Sequence, residues 1–190
     1  MENIKYGLFD LFAYALPGTF FLFCTVYITA FVPGHPVSMI DPAFFTTEYR
    51  ILPIVVFIAL AYVTGFILCS MANILLNLCL RMRSRLIKSG HPLTTSTGIT
   101  KSTKYVIVRE SAKENQKSIE IWNVMKNFSA TVALCLLILD ILYYIRFRSF
   151  GILPLAAGIV LFLLLLNRAM EYHSWVVSDL DNAYQKNKDK

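Results

Sequence analysis

The sequence predicts an all-α, polytopic membrane protein with four transmembrane helices, both termini on the cytoplasmic side, and cytoplasmic helical extensions. Three observations predict this class. Of the 190 residues, 56% are hydrophobic and only 16% are charged. The apolar residues form four long runs, and the basic residues concentrate in the connections on one side. A soluble domain is about 45–50% apolar and about 25% charged, so the composition argues against a conventional soluble enzyme and excludes a disordered chain.

The four apolar runs approach the roughly 20 residues that a membrane-spanning helix needs. They cover residues 11–32, 51–72, 128–145 and 152–166. Because they are continuously apolar rather than alternating, we expect helices and not the strands of a β-barrel. The fourth run is short, so we expect its helix to continue from Asn167 onward or to lie in a thinned part of the bilayer.

This pattern divides the chain into four regions. They are residues 1–80, an interfacial N-terminal helix with transmembrane helices 1 and 2; residues 81–127, a cytoplasmic basic hairpin or loop; residues 128–166, transmembrane helices 3 and 4; and residues 167–190, a cytoplasmic C-terminal helix and tail. The interfacial helix is expected from an apolar stripe between Ile4 and Ala15. Pro17-Gly18 is expected to kink or restart the helix, because proline removes a backbone donor.

Lysine and arginine counts predict the orientation. Of the 18 basic residues, fifteen lie in the N-terminal tail, the 81–127 connection and the C-terminal tail, and three lie in the two remaining connections. Cytoplasmic connections carry the excess of basic residues. We therefore expect a multi-pass membrane protein with both termini in the cytoplasm.

The 81–127 connection is expected to contain its own structure. The second helix should continue to about Lys88, and a polar linker should follow over 94–103. Residues 105–108 could form a short strand, and Ser111 to Glu114 has the capping-box pattern that opens a helix. After Asn167, five apolar residues recur at helical spacing, which predicts a helix with Glu171, Asp179 and Asp181 on its polar face; these apolar residues are Met170, Trp175, Val176, Leu180 and Tyr184.

Asp140 is the one carboxylate inside the third apolar run. Insertion of such a group costs about 2.5–3.5 kcal/mol, so these residues usually face a bundle interior or water. Two interpretations stay open. Asp140 could be a polar ring or proton site in an oligomer, or it could bond Tyr144 or pair with Arg146 or Arg50.

A helix-packing face is predicted on the second span. Ala61, Gly65 and Cys69 repeat every four residues, which lets helices approach closely. Asn73 and Asn77 share one face further along the same helix. This surface would pack within the protomer or between copies in a homo-oligomer, with pore lining as the alternative.

The cytoplasmic basic residues and one aromatic residue form a hypothetical partner-docking surface. A cytoplasmic protein partner is expected there, while anionic lipid and direct nucleic-acid contact stay open; the residues are Arg81, Arg83, Arg85, Lys101, Lys104, Arg109, Lys113, Lys117 and Trp122. The alternative is that these charges only set topology.

Catalytic and cofactor patterns are scarce. Arg168 and His173 have the Arg-x4-His spacing of HEPN ribonucleases, but this spacing places them on different helix faces. A nuclease is therefore the lowest-ranked hypothesis. The four cysteines and three histidines have no zinc-type spacing. We expect no catalytic site, no cofactor and no metal.

Two segments carry a family resemblance. Phe9-Asp-Leu-Phe-Ala-Tyr-Ala-Leu-Pro-Gly18 opens the first span, and Arg168, Glu171-Tyr-His173-Ser and Trp175 close the last. Together with the four-span layout, they resemble the KwaA family, the membrane component of the Kiwa anti-phage defence system. The resemblance implies an oligomeric inner-membrane sensor or scaffold that docks a soluble partner, KwaB, which acts on DNA. The chain is also similar to the pore-forming accessory proteins of type VI-B CRISPR systems, which implies a pore or channel instead.

Overall fold

The computed structural model describes residues 11–30, 51–86, 101–111, 113–147 and 152–188. Within these ranges every residue except Phe147 is helical. A π-helical turn, Leu11–Ala15, leads directly into α1; the α-helices are α1 (Leu16–Ala30), α2 (Ile51–Leu86), α3 (Lys101–Ser111), α4 (Lys113–Arg146) and α5 (Ile152–Lys188).

The prediction of four apolar helices is confirmed. In the described residues, four helical segments are long and apolar enough to cross a membrane: Leu11–Thr29, Ile54–Arg83, Asn115–Arg146 and Ile152–Lys186. Helices α2, α4 and α5 contain 36, 34 and 37 residues. At 1.5 Å per residue each is about 50 Å long, which exceeds the roughly 30 Å of a bilayer core. Each of the three therefore has length to extend beyond an apolar layer.

The helices pack through two clusters in the apolar part of the molecule. The larger cluster joins α2, α4 and α5 through small and medium-sized side chains, among them Ala72, Leu76, Ala130, Cys135 and Ala169. The smaller cluster joins α1 to the far end of α4 through Ile28, Leu139 and Phe147. Small residues at these contacts let the helix backbones approach closely.

One expectation about local structure is wrong. Residues 105–108 are not a strand but the middle of α3, which runs over Lys101–Ser111. Its β-branched residues favour a strand locally, but burial of Val108 against α4 and α5 outweighs that propensity. At Pro17-Gly18, where we expect a kink or restart, the π-helical turn Leu11–Ala15 passes directly into α1, which begins at Leu16.

The remaining expectations concern where helices begin and where the regions of the chain divide. Helix α4 begins at Lys113, inside the predicted capping box. The division points 80/81, 127/128 and 166/167 all lie within continuous helices. The proposed interfacial helix lies mostly in residues 1–10, and most of the 94–103 linker also lies outside the described residues.

Candidate functional site

Helix α3 packs against the first part of α4 and the last part of α5. We call this assembly the three-helix unit (residues 101–126 and 168–186). Its core consists of six buried apolar side chains: Val108, Ile119, Val176, Leu180, Ala183 and Tyr184. The apolar spacing seen after Asn167 places Val176, Leu180 and Tyr184 on the buried face of α5.

Lys104 lies inside the three-helix unit and not on its surface. Its side chain is 2% exposed, and its Nζ lies 2.8 Å from Oδ1 of Asp181. The ammonium group also lies 5.2 Å from the centre of the Tyr184 ring, within the range of a cation–π contact. The expectation that Lys104 presents its charge to a partner is therefore corrected, because its ammonium group is buried and paired with Asp181 of α5.

Trp122 joins α4 to α5. Its Nε1 donates a hydrogen bond of 3.1 Å to Oδ2 of Asp179. Its ring stacks on Tyr172 at 5.9 Å and meets Trp175 edge-to-face at 4.8 Å. Asp179 and Asp181, which we expected on the polar face of the helix, thus both bind groups within the chain. Sequence reasoning missed this because helical spacing shows which residues share a face and not which neighbour covers it.

Arg168 contacts three neighbouring side chains of its own helix, α5. Its guanidinium lies 4.7 Å from the Tyr172 ring centre and 5.1 Å from that of Trp175, and its Nη1 lies 2.6 Å from a Glu171 carboxylate oxygen. His173 is half-buried. These contacts place Arg168 beside Glu171, Tyr172 and Trp175 of the same helix.

The remaining docking residues are placed as follows. Arg81, Arg83 and Lys117 are exposed. Trp122 is half-buried in the contacts just described. The side chains of four further residues lie outside the described part of the chain: Arg85, Lys101, Arg109 and Lys113.

The small-residue stripe of α2 lies at a contact within the chain. Ala61 and Cys69 are buried, and a Cβ on Gly65 would collide with the backbone carbonyl of Tyr14. Reciprocally, a Cβ on Gly18 would collide with the carbonyl of Ala61. The two glycines thus permit the backbones of the first helix and α2 to touch. Of these two glycines, the sequence pattern assigned only Gly65 to a packing face.

The two asparagines of α2 have different surroundings. Asn73 is half-buried, and its Nδ2 lies 3.6 Å from Sγ of Cys69. Asn77 is exposed. They therefore do not act as one polar pair within the chain.

Asp140 faces Gly158 across the α4–α5 contact. A Cβ on Gly158 would collide with the carboxyl group of Asp140. The Oδ2 atom of Asp140 is buried and has no hydrogen-bond partner among the described residues. Arg50, one of the partners expected for Asp140, lies outside the described residues.

Asp140 is one of the residues that line an open cavity of about 480 Å³ between α1, α4 and α5. Its other lining residues are aromatic or apolar, apart from Cys24 and Gly158; the aromatic ones are Phe20, Phe23, Tyr27 and Tyr143. An unfilled acceptor within apolar surroundings is costly, which marks this groove as the second candidate site. Sequence reasoning missed Gly158, because a single glycine in an apolar run does not show which residue of a neighbouring helix it faces.

The described helices contain no group of three or more histidine, cysteine, aspartate or glutamate side chains suited to a metal ion. No family model, no curated protein and no solved structure matches the chain.

Proposed function

We propose that the chain is an oligomeric inner-membrane sensor or scaffold subunit of a prokaryotic antiviral defence complex, and that it docks a cytoplasmic, nucleic-acid-acting partner on the three-helix unit. One observation carries the docking part of this proposal. An ordered polar unit is built from the same helices that form the apolar part of the chain. The antiviral role is supported by the resemblance to the KwaA family.

The apolar surface supports the membrane location. Large side chains on α1, α2 and α5 point outward, including Phe23, Ile74 and Leu153, which are 58%, 63% and 83% exposed. A soluble monomer rarely exposes contiguous apolar patches larger than a few hundred Å². Acyl chains or neighbouring copies would cover this surface, in agreement with a multi-pass membrane protein that forms homo-oligomers.

Helix continuity supports coupling between the two parts. Helices α4 and α5 run without interruption from the apolar region into the three-helix unit. The Lys104–Asp181 ion pair joins α3 to α5, and the Trp122–Asp179 hydrogen bond joins α4 to α5. A displacement of the three-helix unit by a bound partner would therefore be transmitted to the membrane helices through packed, continuous helices, which suits a sensor.

Exposed charges support the docking surface. Lys117 on α4 and Arg81 and Arg83 at the end of α2 are exposed. Complementary charges steer association and suppress wrong partners. The partner would therefore present an acidic face to this end of the molecule.

Co-purification in a mild detergent tests the proposal. The chain is expressed with the soluble protein encoded beside it, and the wild type is expected to retain that protein. Reversal of three charges, Arg81→Glu, Arg83→Glu and Lys117→Glu together, is expected to lower retention at least tenfold. Arg146→Glu, an exposed charge reversal at the other end of α4, is the matched control. A monomeric, partner-free wild type, or equal retention by both variants, would contradict the proposal.

A pore or channel is the second candidate function. It is favoured by the unfilled Oδ2 of Asp140 within an apolar groove. Purified protein in liposomes would then release a trapped ion, and Asp140→Asn would change the rate. Absence of conductance in both forms would remove this candidate.

A further inference from the structure

We draw no further inference here: the strongest candidate, the stripe of exposed apolar side chains along the outer face of α2 at Ile67, Met71, Ile74, Leu78 and Met82, carries none because nothing in the structure shows what covers it.

Discussion

The Nζ atom of Lys104 lies 2.8 Å from the Oδ1 atom of Asp181, across 77 residues of sequence. The two partners differ in their surroundings, since the lysine side chain is 2% exposed and the aspartate side chain is 38% exposed. Removing one partner or the other should therefore have unequal effects.

Asp181→Ala is expected to loosen α3. The substitution leaves a buried ammonium group without its counter-charge, and an unsatisfied buried group costs about 1–3 kcal/mol, more when it is charged. Amide hydrogen exchange in α3 should then accelerate about tenfold or more, while exchange in the α2–α4 contact stays unchanged.

Lys104→Met is the reciprocal experiment. The thioether side chain fills an apolar site, and Asp181 keeps access to water because it is partly exposed. Replacement of buried charges by apolar groups is often neutral, so α3 should exchange much as in the wild type. An Asp181→Ala variant no more labile than Lys104→Met would show that the buried ammonium group of Lys104 does not depend on Asp181 for its counter-charge.

The Trp122–Asp179 contact predicts a graded series. Trp122→Phe keeps an aromatic ring but loses the hydrogen bond to Asp179, which is expected to cost about 0.5–1.5 kcal/mol. Trp122→Ala also removes the contacts with Tyr172 and Trp175, and such large-to-small changes cost about 3–5 kcal/mol when the residue is fully buried. The half-burial of Trp122 lowers that figure. In thermal unfolding in detergent, the melting temperature should fall from the wild type to Trp122→Phe and further to Trp122→Ala. Equal melting temperatures would contradict the series.

The contact of Gly65 with Tyr14 predicts a site that tolerates no side chain. The obstacle is backbone, which cannot rotate away, so Gly65→Ala must separate the first helix from α2. Overpacking costs about 1–3 kcal/mol and sometimes more. Ser70→Ala, an exposed change of similar size on the same helix, is the control. A melting temperature for Gly65→Ala equal to that of Ser70→Ala would show that the helices do not touch there.

The helical architecture could be predicted because it depends on local composition. Four runs of apolar residues suffice to place four helices, and the short fourth run already pointed to continuation past Asn167. The apolar spacing at Val176 and Leu180 likewise marked a buried face. These features need no knowledge of which elements meet.

The contacts between helices could not be predicted in the same way. Lys104 looked like one more member of a basic surface, because nothing in its neighbourhood showed that Asp181 would cover it. The β-branched residues beside it favoured a strand for the same reason, since the α3 helix is stabilised by α4 and α5. Gly158 drew no attention as a single glycine, because its local sequence does not show that Asp140 lies opposite it on the facing helix.

The orientation predicted from basic residues can be tested with Lys117→Cys. Lys117 is exposed on the three-helix unit, and the positive-inside rule places that unit in the cytoplasm. A membrane-impermeant maleimide should then label the new cysteine in inverted vesicles and not in intact spheroplasts. The wild type serves as the blank, because its cysteines are buried or half-buried in the apolar helices. Labelling in spheroplasts would reverse the orientation, and it would also remove the cytoplasmic partner from the proposed function, because the docking surface would then face the other side of the membrane.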